Sequence, residues 1–282
     1  MATKTWVGGV DGDWGTALNW SPSGVPASTD DVFIVSGSVD IDDYDGSAVT
    51  LGRLVVGSRY TGTIGTSGDK LQINATSLDY SGNGDTAYFE GTFTTLTIQD
   101  TSTNDAALNL YGDSSTIHTL RVLGGKGTIN IDSSCNITAI IEQVGANAVT
   151  LNIADNTTIG GSATLTMDSG TVELNQAVPT ITVFGGTLEV ALDDGDITTF
   201  EQFGGRVKWK PSGDCTITTL TLYAGLFDCR ESISPTYTIT NTTVHESAIL
   251  DERSGINNAI FTNPISVESG EIKFDAGRSV AI

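Results

Sequence analysis

The sequence predicts an all-β chain wound as a parallel β-helix, a solenoid closed at one end by a tryptophan-rich segment. Three observations carry that reading. A glycine recurs at positions 125, 145, 170, 186, 205 and 225, so that successive copies lie 20, 25, 16, 19 and 20 residues apart. Each glycine is flanked by two short runs in which apolar and polar residues alternate, as in Ile217–Arg230 around Gly225. Charged residues stand between the apolar pairs at a fixed offset, at Glu173, Glu189, Lys208 and Asp228. A period near twenty is one turn of a solenoid and too short for a propeller blade. Alternation means strand, because successive side chains leave a strand on opposite sides.

The register follows from the same offsets. Eight residues before the glycine stands Ile117, Ile137, Val178, Ile197 or Ile217, and five before it Leu120, Ile140, Ile181, Phe200 or Leu220. Two and four after it come Leu188 and Val190, Val207 and Trp209, or Phe227 and Cys229. These positions are expected inside. The charged position between them is expected outside, so that Glu189, Lys208 and Asp228 form an exposed surface ladder with coils about 4.8 Å apart. Glu142 and Gln202 stand three before their glycines, where other copies carry Val122, Val183 and Leu222, and the pattern offers no reason for them.

The opening of the chain differs from the repeats. Residues 1–50 hold three of the four tryptophans, Trp6, Trp14 and Trp20, and are read as a capping and attachment segment; residues 51–282 are read as the β-helix body. The terminal coil of a solenoid has no neighbour on one side, and large rings can cover its open core. Within the segment the order is W-x-G-G-x-D-G-x-W from Trp6, then Asn19-Trp20, Val25-Pro26 and the acidic pair Asp30-Asp31. This arrangement resembles the start of β-helical bacteriophage structural proteins and β-helical adhesins. The resemblance covers about 30 residues and implies an architecture more than an activity.

Farther along, Val32–Val35 and Val39–Ile41 read as first strands, with Leu54–Val56, Tyr60–Ile64 and Leu71–Ile73 as early irregular coils. Residues 80–94 read as a glycine-rich excursion whose aromatics, Tyr88 and Phe89 among them, are exposed for a contact between subunits. Regular coils are expected from Leu96 to Arg230. Tyr237–Thr240 and Ala248–Leu250 read as strands, 251–264 as a loop, Ile265–Phe274 as a closing half-coil, and Ser279–Ile282 as a short apolar tail.

Composition limits the function classes. A net charge of −21 argues against nucleic-acid backbone and anionic membrane surfaces as partners. Cys135, Cys215 and Cys229 are odd in number and lack C-x-x-C spacing, which suits packed free thiols. No signal-peptide pattern follows Met1, so synthesis in the cytoplasm without export is expected. His118 and His245 lie in separate coils and read as surface residues, and no catalytic motif appears. The acidic clusters Asp40–Asp45 and Asp193–Asp196 fit turns better than calcium sites, and no metal or cofactor is expected. Arg206, Lys208 and Lys210 share one face of a strand and could meet an acidic substrate, although stacking against Glu189 and Asp228 is the simpler reading. Together with the resemblance, these points imply a non-enzymatic virion protein: a capsid decoration (cement) or head-fibre protein, homo-oligomeric with a trimer favoured, bound to a major capsid protein. An adhesin or tailspike-type carbohydrate-binding protein is the alternative. Attachment is expected through Trp6, Trp14 and Trp20, or through Tyr88 and Phe89, with the flanks of the coils serving as an inert spacer.

Overall fold

The computed structural model describes residues 1–42, 44–84, 86–99, 107–111, 115–132, 134–232, 236–253 and 259–275. Asp43 of the first acidic cluster and the tail Ser279–Ile282 lie outside the described residues. The chain is a parallel β-solenoid of about ten turns. From Asp31 onward the described strands pair in parallel, each with the equivalent strand of the next coil, apart from one isolated antiparallel bridge between His245 and Ser269. Hydrogen bonds therefore run along the solenoid axis, and equivalent residues of successive coils form columns.

One regular coil shows why these residues adopt this shape. Ile197, Phe200, Gln202, Val207 and Trp209 point inward and are buried. The step from 197 to 200 spans three residues instead of two, so the chain bends there; the amides of Thr198 and Thr199 both reach the carbonyl of Pro179 in the coil before. A second bend falls at Gly204-Gly205. Gly170, Gly186, Gly205 and Gly225 all hold a left-handed φ, between 68° and 91°. A Cβ on Gly205 would stand 2.6 Å from the carbonyl oxygen of Gly186. Both the backbone turn and the close approach of the coil below require glycine at this corner.

The inward columns form one hydrophobic core along the axis. Leu188, Val190, Val207, Trp209 and Phe227 are fully buried within it, as the register predicts. Trp209 packs on Phe227 and Tyr237, with ring centroids 5.8 Å and 5.9 Å away. The outward charged column is also in register: Glu173, Glu189, Lys208, Asp228, Asp251 and Lys273 are successive pairing partners.

Several expectations need correction, among them Val39–Ile41, which is no strand and makes only an isolated bridge from Ile41 to Ile64. Around Gly145 the register is one residue late, because the strand Asn136–Gln143 carries a bulge between Ile137 and Ile140. The extra residue turns Ile141 and Gln143 inward in place of Ile140 and Glu142; Glu142 faces out and pairs with Arg121 at 2.6 Å. Gln143 and Gln202 are therefore the irregular inward residues, and both have a role. The Gln202 amide donates to the carbonyls of Gly204, Gly205 and Leu226, and the Gln143 amide to those of Val149, Ser169 and Thr171. Each amide ties together the corner of two coils. Gly125 and Gly145 do not join the later corner column, because Thr128, Thr150, Thr171 and Thr187 are the residues in register.

The stretch 80–94 is no excursion. Thr86–Glu90 and Thr92–Ile98 are strands of ordinary coils, and alternation turns Ala87 and Phe89 inward. The segment read as a loop from 251 begins inside the strand Tyr237–Glu252, which covers both short strands expected there, and Ala259–Phe261 pairs back onto its first residues. Finally, Asp228 is buried, at 3% exposure. The arginines that cover it are described below.

Because the core is one continuous stack, removing its largest ring leaves a void that the rigid coils cannot close. Trp209→Ala should cost about 3–5 kcal/mol. Chemical denaturation should show a matching drop in the midpoint, and an unchanged midpoint would contradict this packing.

Candidate interaction surfaces

The N-terminal segment folds over the first coil. Thr3–Trp6 pairs antiparallel with Trp20–Ser21 and parallel with Asp31–Gly37, the first strand of the solenoid. Trp6 and Trp14 both meet Trp20 edge-on, with centroids 5.1 Å and 4.6 Å away, and Trp14 stacks on Tyr44. The Trp20 indole donates to the carbonyl of Trp14 at 2.8 Å. Asn19, fully buried, accepts from the amides of Val10 and Asp11 and donates to Asp11 and to the carbonyl of Asp13. Asp30 accepts from the amides of Ala2 and Ala27, and these bonds hold its carboxyl below the usual range. The W-G-G-D-G-W-N-W order is thus a set of folding instructions for a cap.

This geometry changes what the cap presents to a partner. Trp6, Trp14 and Trp20 are at most 3% exposed, so their rings serve the core. Apolar side chains that face outward from the same segment include Val7, Val10 and Leu18, at 51%, 60% and 65% exposure. Phe89 is fully buried, while Tyr88 is half-buried and stacks on Tyr111 at 5.8 Å, with the Lys70 ammonium 5.1 Å from the Tyr111 ring. An open polar hollow of about 410 Å³ is lined by Ser47, Gln72, Asn74, Glu90, Gly91 and Thr92. The boundary at residue 50 falls inside the strand Tyr44–Tyr60.

The basic stripe is occupied. Lys208 and Lys210 both bind Glu189, the latter at 2.6 Å, and Arg206 reaches Asp228 at 2.5 Å. Asp228 also accepts two bonds from Arg230, and one coil on Asp251 repeats the arrangement with Arg253. Arg230 first, and then Arg206, hold the Asp228 carboxyl far below the usual carboxylate range. Arg253 lowers Asp251 in the same sense, and the two lysines lower Glu189.

Residues with catalytic or metal-binding potential are dispersed. Among the described residues no three of His, Cys, Asp and Glu gather to hold a metal ion. The turn acids are engaged locally: Asp40 accepts from the amide of Thr63, Asp45 from Ser47, and Asp193 from the Ser212 hydroxyl. Cys135, Cys215 and Cys229 are free and buried, and burial pushes the first two thiols up to about 12. His118, exposed, contacts the Thr138 hydroxyl at 2.9 Å. Among the described residues, no helix is long and apolar enough to cross a membrane.

Sequence reasoning missed one surface. Phe184, Phe203, Tyr223 and His245 occupy one outward column and stack ring on ring, with centroids 5.1, 4.4 and 4.6 Å apart and planes within 18° of parallel. Phe184, Phe203 and Tyr223 are 52%, 39% and 36% exposed, and Leu123 and Val144 are exposed in the coils before. The signal was present at a fixed offset, since an aromatic stands two residues before Gly186, Gly205 and Gly225. The flank of the solenoid is therefore not featureless.

No family model matches this chain, and neither a curated protein nor a solved structure matches it.

The carboxylates clamped by arginine and lysine give the fold a defined acid sensitivity. Their folded-state pKa values lie below the unfolded ones, so their contribution is complete above the unfolded carboxylate value and is lost as pH falls below it. The denaturation midpoint should stay flat from neutral pH to about 5 and fall steeply below about 4. Asp228→Asn should lower the midpoint at pH 7 and flatten the acid limb; an equally steep limb in the variant would assign the sensitivity to other groups.

Proposed function

We propose that this protein is a non-enzymatic structural component of a virion, of the capsid decoration (cement) or head-fibre kind. The observation that carries the reading is the N-terminal segment: its sequence order resembles that of bacteriophage structural proteins, and it forms a compact cap that shows Val7, Val10 and Leu18 to the outside. The net charge of the chain, −21, disfavours non-specific adhesion, and the coil body suits a stiff solenoid that stands off a surface. In this reading the outer face of the cap, rather than the tryptophan rings, meets a major capsid protein. The protein acts after synthesis in a host cytoplasm and needs no cofactor.

The test keeps the cap folded. Replacing Val7, Val10 and Leu18 together by Ser changes exposed side chains only, so the thermal midpoint should hold. Co-sedimentation with capsids of the virus that encodes the chain should be lost. Retained co-sedimentation by this variant, or no binding by the parent protein, would contradict the proposal.

One observation favours the carbohydrate-binding alternative: the polar hollow lined by Gln72, Asn74 and Glu90 offers two amides and a carboxylate together. A panel of neutral and acidic polysaccharides separates the readings. The virion reading expects neither retention nor shortening of any chain. Saturable retention lost in Gln72→Ala would support the alternative, and depolymerisation abolished by one Asp→Asn change would overturn the non-enzymatic assignment.

A further inference from the structure

We propose that the outward aromatic column is a self-complementary contact through which two copies of this chain pair antiparallel, about a two-fold axis at Phe203. This proposal does not depend on the virion reading.

The argument begins with the order of the column. Met167, Val183, Gln202, Leu222 and Val244 are successive pairing partners. The residue after each, which faces out at the bend, is Asp168, Phe184, Phe203, Tyr223 or His245. Turned over about Phe203, this column meets itself: Phe203 faces Phe203, Phe184 faces Tyr223, and Asp168 faces His245. An isologous contact requires this reciprocity, residue i on j and j on i. A three-fold contact is heterologous and would need a second, different patch to receive the strip.

Charge selects the same occupant. In a chain of net charge −21, the strip from Phe184 to Tyr223 carries no charge, so two acidic copies can approach there with least repulsion. Its ends are complementary. Glu268 engages His245 through Nδ1 at 2.9 Å, which leaves Nε2 for another acceptor. Asp168, at the other end, is exposed; its Oδ1 already accepts from the amide of Gly145 and the Ser169 hydroxyl, which fixes the carboxylate in place. From Asp168 to His245 the column is four coil spacings long, about 19 Å.

Ring orientation argues against a sugar platform at this site. The faces of Phe203 and Tyr223 are covered by their neighbours in the stack, so solvent meets ring edges. Stacking on a sugar needs an open face. Exposed ring edges and apolar rims suit packing against an equal strip of edges and rims, which removes both from water.

Sedimentation velocity over a concentration series, combined with cysteine crosslinking, tests the proposal. The protein should sediment as a monomer–dimer equilibrium. Phe203→Asp should weaken the dimer at least about tenfold, as expected for an aromatic at the centre of an interface, with no change in thermal midpoint. Phe203→Cys should form a covalent dimer under mild oxidation, because the residue on the axis meets its own copy. Leu123→Cys, four coils away, should not, and the three native cysteines are buried and give little background. A monomer at every concentration, a trimer indifferent to Phe203→Asp, or equal crosslinking of both cysteine variants would each overturn it.

Discussion

The parallel hydrogen-bonded stacking of one coil on the next is the constraint on which the rest of this structure depends. It fixes the spacing at about 4.8 Å and forbids relative slippage, because a shift of one residue would turn a whole strand inside out. Once coils are locked, like positions become columns, and a column multiplies whatever chemistry the repeat supplies. Apolar columns become a continuous core. The column from Glu173 to Lys273 places carboxylates beside lysines and arginines. An aromatic at the bend becomes a four-ring stack.

The parts that repeat were legible in the sequence, and the parts that interrupt the repeat were not. Alternation around Gly186, Gly205 and Gly225 identified the inward residues, and burial of Leu188, Val207, Trp209 and Phe227 matches it. The bulge at Ile137–Ile140 was invisible, because one inserted residue leaves an apolar residue at both 140 and 141 and only pairing distinguishes them. Gln143 and Gln202 could not be interpreted from periodicity either. Their purpose is to satisfy corner carbonyls of two coils at once, a relation between residues up to 28 apart in the chain. Asp228 stands at an outward strand position, which is usually exposed. Arg206 and Arg230 cover it, and charges buried in this way are paired as a rule.

The candidate surfaces show the same division. The tryptophans bring large apolar rings to the opening segment, yet a cap uses such area to cover the core before any remains for a partner. What remains on the cap is modest and includes Val7, Val10 and Leu18. The aromatic column is the converse. Its members look unremarkable in any one repeat, and they acquire meaning when the coil spacing brings them to within 4.4–5.1 Å of each other. Tyr88 and Phe89, adjacent in sequence, have opposite fates for the simplest reason: one faces the solvent side of the strand and the other the core.

Coil register is the central claim, and paired cysteines on adjacent outward positions test it most directly. Thr182 and Glu201 are in-register partners, whereas Thr180 is the partner of Thr199. Cysteines at 182 and 201 should close a disulfide quantitatively on mild oxidation, since in-register Cα atoms stand within the reach of about 4.4–6.8 Å that the bond requires. Cysteines at 182 and 199 should stay reduced under the same conditions. Closure of the mismatched pair, or failure of the matched one in a folded protein, would contradict the register and with it every column described above.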